Sequence, residues 1–358
     1  MWNDGYEIRA FEDRWKGGVN NYVGWMAKRL SECHRVLKKN GLMYLHCDYY
    51  AGHYLKVECD KIFGYNNFRN EIIWCYSGGG IPKKDFPNKH DTIFRYSKTN
   101  DYKYYPEFKA YSEGTVERGR TAVKAKFFEN GVPKLRKEGT PITDWWTDIK
   151  YIHSPTDYEK LGYPTQKSEE LLTRIIKISS DADDIVLDPF CGCGTAIASA
   201  QKMTDKDGKP APRRWIGIDV SPTACKLMAK RMKKITGTNP NMIGMPKSLA
   251  DLKKLQPFEF QNWVMDKLYA RVSPRKVGDM GIDGFYIDGS PIQVKQSGDV
   301  SRPVVDAMEA VLGRIDKKKG VIVAYSFSKG AYEEVARAKR EQGLEITLKT
   351  VNEILSET

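Results

Sequence analysis

Residues 185–195, Ile-Val-Leu-Asp-Pro-Phe-Cys-Gly-Cys-Gly-Thr, decide how this chain is read. IVLD (185–188) is a short apolar run behind the turn Asp181-Ala-Asp-Asp184, the pattern of a buried strand. Gly192 and Gly194 allow close approach of backbone to a ligand. AIASAQKM then begins a helix, whose first amides have no intrahelical partner. WIGID (215–219) is a second strand, ended by Asp219, 31 residues after Asp188. Ser221-Pro222 opens the next helix, with serine as cap and proline in the first turn. Strand, glycine loop, helix and strand with a terminal acid make a nucleotide-binding unit of α/β type, in which such an acid takes a ribose diol. Only two glycines are in register, so the loop departs from the dinucleotide fingerprint GxGxxG. A structural turn explains GxG alone, but not the four features together.

Outward from this unit the chain divides. Upstream, 19–38 places Tyr22, Trp25, Met26, Leu30, Cys33 and Leu37 on one helical face, stopped by Asn40-Gly41. LMYLHC (42–47), EIIWCY (71–76) and DTIFRYS (91–97) read as strands, 49–63 as a helix, and Ser77-Gly78-Gly79-Gly80 as a mobile loop. Residues 98–160 are irregular, and aromatics alternate with bases: Tyr102, Lys103, Tyr104, Tyr105, Phe108, Lys109, then Lys134, Arg136 and Lys137. Such a stretch fits phosphate contacts and base stacking, or a solvated loop with its aromatics tucked inward. Thr165 is placed to cap a helix that buries Leu171, Leu172, Ile175 and Ile176. Residues 237–257 read as a linker, and 258–358 as a second α/β domain with a hairpin at Asp288-Gly289.

Composition sets the class. At about 150 residues per domain, 358 residues make two to three domains. Lys plus Arg is 58 against 46 acids, a net charge of +12, which points to a polyanionic partner. No apolar run reaches the roughly 18 residues of a membrane span, and the first residues lack a signal-peptide pattern. The cysteines sit mostly in apolar runs, and Cys191-Gly-Cys193 is too closely spaced for a zinc knuckle. These features suit reduced thiols in a cytoplasm.

LDPFCGCGT strongly resembles the S-adenosylmethionine-binding motif of DNA methyltransferases that modify amino groups, adenine N6 or cytosine N4. Tyr163-Pro-Thr-Gln-Lys167 resembles the segment preceding it in the permuted beta-type members, and RRWIGIDVSP matches the next motif. LMYLHCDYYAGHYLK and NFRNEIIW look like the amino-proximal half of the same enzymes. The resemblance covers roughly residues 1–236. It implies a Rossmann-like methyltransferase domain of two halves, 1–97 and 161–236, around a target-recognition region at 98–160. It implies that Asp188, Phe190, Gly192, Gly194 and Thr195 line S-adenosylmethionine, that Asp219 holds its ribose, and that Thr165, Gln166 and Lys167 border the pocket. The partner implied is double-stranded DNA. Oligomeric state stays open, a dimer included.

Amino methylation needs an extruded base and acceptors for the amino hydrogens. The family supplies the acceptors from a (D/N/S)PP(Y/F) tetrapeptide that these 358 residues do not contain. In the beta-type order it lies just before Met1, so a truncated reading frame or a wrongly chosen start is expected, with a pseudo-enzyme as the other account, and no residue is named for methyl transfer.

In the last domain, Asp283 precedes a hairpin, and Gln293 and Lys295 share one face of its return strand. Carboxylate and amide oxygens can hold a divalent cation such as Mg2+, with lysine stabilising phosphate charge. An ordinary charged hairpin would look the same. GDMGIDGF and PIQVKQS closely resemble the core of Mrr-like restriction endonucleases of the PD-(D/E)xK superfamily, and FEFQNWV matches the helix that supplies their accessory Glu. That resemblance covers about residues 258–345. It implies Glu259, Asp283, Gln293 and Lys295 as a cleavage site, with Glu259 and Asp283 as metal ligands. Three readings stand: a restriction–modification fusion that methylates DNA, a metal-dependent DNase, and a non-catalytic DNA-binding fragment.

Overall fold

The computed structural model describes residues 18–78, 82–119, 128–129, 132–133, 135–152, 159–163, 165–273 and 281–357. Part of the expected glycine loop (Gly79, Gly80), Lys134, Pro164 and Gly278-Asp279-Met280 lie outside them, as does the segment from Met1 through Phe11.

The first unit opens with α1 (Gly18–Val36), β1 (Leu42–Cys47), α2 (Gly52–Phe63), a 3₁₀ turn at Tyr65–Asn67, β2 (Phe68–Cys75) and β3 (His90–Ser97). Short pieces follow: β4 (Phe108–Lys109), α3 (Glu113–Glu117), β5 (Phe128–Glu129), β6 (Val132–Pro133), β7 (Thr140–Pro141) and β8 (Trp145–Trp146). The unit closes with α4 (Glu169–Lys177), β9 (Ile185–Asp188), α5 (Thr195–Gln201), β10 (Arg214–Gly217) and α6 (Pro222–Thr236).

Strand alternation builds a four-stranded sheet in the order β1-β3-β2-β8. Met43, Leu45, Phe94 and Tyr96 face one side, where α1 and α2 cover them with Met26, Leu30, Leu55 and Phe63. Ile72, Trp74 and Ile93 face the other, against Trp146, Ile149 and the α4 residues Leu171 and Ile175. Residues 145–149, expected in the target-recognition region, therefore belong to this core, and the Trp74 indole donates to the Ile149 carbonyl at 3.1 Å. The α4 cap is Ser168, which accepts the Leu171 amide, and not Thr165. Thr165 instead has φ +61°, a turn conformation that an N-cap does not take.

β9 and β10 form a separate parallel pair. Val186 of β9 packs on Ile176 of α4 and on Ala200 and Met203. α1 of the larger sheet reaches the loop that follows β9: the rings of Trp25 and Phe190 are 5.9 Å apart. α4 thus packs on both sheets, through Leu171 and Ile175 on the larger and Ile176 on the smaller. Among the described residues, β9 pairs only with β10 and β1 only with β3, so each keeps one open edge. Ile185, Leu187, Ile216 and Ile218, on the face away from Val186, are 46, 37, 50 and 53% exposed.

The second unit contains α7 (Leu249–Lys254), α8 (Pro257–Lys267), β11 (Arg271–Val272), β12 (Gly284–Phe285), β13 (Pro291–Val294), α9 (Arg302–Arg314), β14 (Lys319–Ala324), α10 (Lys329–Gln342), β15 (Glu345–Thr350) and α11 (Val351–Ser356). Its sheet runs β11-β12-β13-β14-β15, with the last three parallel. Phe260, Trp263 and Val351 fill one face, and Val305, Met308 and Ala338 the other. The linker is shorter than expected. Ser248 and Asp251 form a capping box for α7, and Leu252 enters the second core fully buried. The fold is mixed α/β in both units. No helix among the described residues is long and apolar enough to cross a membrane.

Candidate cofactor and active site

The loop after β9 is tied down from three sides. The Ile218 amide donates to the Asp188 carbonyl and the Cys191 amide to the Ile218 carbonyl, both at 2.9 Å, which extends strand pairing past both strand ends. Asp219 clasps the loop: one carboxylate oxygen accepts the Gly192 amide and the other the Ser221 amide, each at 2.8 Å. The Asp188 carboxylate accepts the Phe190 amide at 3.1 Å. Burial, with the Asp219 charge adding to it, pushes Asp188 above the usual carboxylate range.

The glycines serve a purpose the sequence does not reveal. Gly192 (φ +47°) and Gly194 (φ +77°) are left-handed. A Cβ on Gly192 would lie 2.7 Å from the Tyr163 ring, and one on Gly194 would lie 2.5 Å from Met228 Cγ. Both are required by conformation and by packing against protein, not only by approach to a ligand.

The remaining expected residues divide. Phe190 is half exposed beside Trp25 and is free to meet a ligand. Thr195 is buried, and its hydroxyl accepts from Arg231, whose guanidinium also bonds Glu169 at 2.8 Å, so Thr195 braces the loop from behind. Gln166 closes its own turn: it accepts the Leu161 amide at 2.9 Å and donates to the Glu159 carbonyl at 2.6 Å. Lys167 reaches Asp91 at 3.5 Å.

Asp91 is a centre that sequence reasoning missed. His46 at the end of β1 donates to it at 2.7 Å, and Tyr76 at 3.1 Å, beside Lys167. Burial acts to raise Asp91, but its bonds to His46, Lys167 and Tyr76 outweigh it and hold the carboxyl below its ordinary value. Burial likewise pushes His46 below the ordinary imidazole range. Asp91 is the second residue of β3, in a run read only for its apolar residues, so nothing in the pattern singled it out.

Part of the basic-aromatic stretch turns inward. Lys103 pairs with Asp181 and Asp184 at 2.7 and 2.6 Å. Arg95 lies 5.3 and 4.8 Å from the Tyr102 and Tyr104 ring centres. These groups strap 101–105 onto the body of the first unit.

In the second unit the expected quartet is not assembled. Asp283 accepts the Val294 amide at 2.7 Å and lines a small pocket with Phe260, Gln261 and Gln296. Gln293 is buried, and its Oε1 has no hydrogen-bond partner among the described residues. Lys295 is partly exposed on the same strand extension. Glu259, in contrast, turns to the first unit. Its carboxylate accepts the Ser221 hydroxyl and, at 2.8 Å, the Thr223 hydroxyl. Gln261, two residues further along α8, is the side chain that donates to the Asp283 carbonyl, at 2.8 Å. Residues two apart point to nearly opposite sides of a helix, so Gln261 meets the hairpin and Glu259 leaves it.

Comparison with known proteins adds the family. The chain is similar to the DNA adenine methyltransferase YhdJ of Escherichia coli (strain K12), 29% identical over 237 residues, 64% of this chain and 73% of that protein. It is similar to the type II methyltransferase M.BglII of Bacillus subtilis, 26% identical over 207 residues, 55% of each chain. Of M.BglII, then, it spans little more than half. The solved structure of PvuII DNA methyltransferase (cytosine-N4-specific) aligns with 64% of this chain and 76% of its own, at 16% identity and a TM-score of 0.43. The DNA methylase family model of N6/N4 methyltransferases matches residues 2–231, well over half the length, and the chain belongs to that family.

Proposed function

We propose that this chain carries the cofactor side of a site-specific DNA methyltransferase acting on adenine N6 or cytosine N4. The carrying observation is the Asp219 clasp, an acid at the end of β10 held on the Gly192 amide of the loop after β9. Each Asp219 oxygen accepts one backbone amide and retains lone-pair capacity for a ribose hydroxyl. Bound S-adenosylmethionine would supply a sulfonium methyl group for an amino nitrogen to take. Phe190 and the loop backbone orient that ligand, and Thr195 and Gln166 hold the loop and its neighbour in shape. Asp91 holds Lys167 at the pocket border. Double-stranded DNA is the partner, drawn by the basic charge.

Acceptors for the amino hydrogens are the missing part. In this reading the (D/N/S)PP(Y/F) tetrapeptide arrives on a strand seated between β9 and β1. The two edges left open among the described residues, the packing of α4 on both sheets and the exposed face of Ile216 and Ile218 support that seat. The test is transfer of labelled methyl to unmodified DNA by this chain and by a form extended with a DPPY-bearing segment. Label transferred by the extended form alone supports the reading. Transfer by neither form overturns it, and transfer by this chain unaided overturns the missing-loop part.

A second reading, a Mg2+-dependent nuclease in the carboxy-terminal unit, is favoured by one observation, the buried Oε1 of Gln293, which has no hydrogen-bond partner among the described residues. Asp283 and Gln293 would hold the cation and Lys295 would face the phosphate. Glu259 is not in this set. Mg2+-dependent plasmid nicking that Asp283→Ala abolishes supports it, and nicking unchanged by that substitution removes it.

A further inference from the structure

We infer that Glu259 is a positioning residue for the cofactor loop, through which the carboxy-terminal unit controls cofactor affinity in the first. The inference rests on the S-adenosylmethionine reading of that loop.

Glu259 lies on α8, outside the matched methylase region, and is 4% exposed. A buried carboxylate persists only when donors replace its water. Its donors belong to the first unit: the Ser221 hydroxyl, the Thr223 hydroxyl at 2.8 Å and the Thr223 amide at 3.4 Å. They form the start of α6, whose fifteen-residue dipole favours an anion there.

Ser221 links this carboxylate to the loop. Its hydroxyl donates to Glu259 and accepts the Ala224 amide at 3.1 Å, and its own amide donates to Asp219 at 2.8 Å. The other Asp219 oxygen holds Gly192. One chain of contacts therefore runs Glu259–Ser221–Asp219–Gly192, from the second unit into the glycine loop. The two units also meet through Lys226 and Asp266, at 2.5 Å, an exposed pair outside the Glu259–Ser221–Asp219 chain of bonds. That pair separates docking in general from the specific tie.

The experiment uses the full chain and titration calorimetry with S-adenosylmethionine, alongside thermal melting and hydrogen exchange at residues 219–223. Glu259→Ala should weaken binding about tenfold, the scale of one buried charged hydrogen bond. Glu259→Gln keeps an acceptor for Ser221 and should recover most of the affinity. Lys226→Ala should leave affinity unchanged. Faster exchange at 219–223 in Glu259→Ala, at a melting temperature matched by Lys226→Ala, supports positioning over simple docking. Should Glu259→Ala fail to fold, Thr223→Val removes a donor to the same carboxylate and should weaken binding a fewfold. Wild-type affinity retained in every folded variant overturns this inference alone. Absence of binding by the wild-type chain overturns the cofactor reading and this inference with it.

Discussion

The loop after β9 and the hairpin of the second unit each place an acid beside a backbone turn, yet they assemble differently. In the loop, Asp188 accepts the Phe190 amide and Asp219 accepts the Gly192 and Ser221 amides, all from two neighbouring parallel strands and their ends. In the hairpin, Asp283 finds its Val294 amide locally, but the helix carboxylate expected beside it has gone to the other unit. A site made of contiguous residues is carried by strand geometry. One that borrows a residue from a helix depends on which way that helix is turned.

Four perturbations probe this contrast, in falling order of effect. Gly194→Ala combines a left-handed φ with a Cβ 2.5 Å from Met228 Cγ. It should destabilise the first unit by about 2–4 kcal/mol, read by urea unfolding. An unchanged midpoint would mean that the loop packs less tightly than described. Asp219→Asn keeps the shape and replaces one acceptor oxygen with a donor. S-adenosylmethionine affinity should fall about ten- to a hundredfold, with little change in DNA binding.

Asp91→Asn tests the centre that lay unseen. Because the folded carboxyl sits below its ordinary value, it stabilises the protein above the unfolded value, near about 4, and the effect disappears as pH falls through the folded value. The variant should therefore be less stable than wild type at pH 7, by about 1–2 kcal/mol, and equal to it in strong acid. Parallel stability curves across pH would remove Asp91 from that role. The smallest effect belongs to Gly289→Ala in the hairpin. Its φ is also left-handed, at +81°, but the nearest atom to a Cβ is the flexible end of Lys317 at 3.3 Å. About 1 kcal/mol should be lost, and a loss matching Gly194→Ala would erase the contrast between the two turns.

Much of the fold was legible from residue order. The runs 42–47 and 185–188 are strands at the expected residues, and Ser221 caps α6 as its place before Pro222 implies. Alternation and capping act over a few residues, so a short window contains their cause. The cap of α4 was misassigned because Thr165 and Ser168 both carry a suitable oxygen, and only backbone conformation distinguishes them. Likewise, Tyr102, Lys103 and Tyr104 have the composition of a nucleic-acid surface. Lys103 instead pairs with Asp181 and Asp184, far away in the chain, and Tyr102 and Tyr104 lie against Arg95 of β3.

By itself, then, the sequence determined the order of elements, the glycine loop with its acid at the next strand end, and membership of the DNA methylase family. Each is a matter of local chemistry or of direct likeness. Only the tertiary structure decided that Asp91 gathers His46, Tyr76 and Lys167, and that Glu259 serves the first unit. The physical reason is shared. A buried carboxylate goes where donors can replace its water, and those donors are brought together by packing between distant segments.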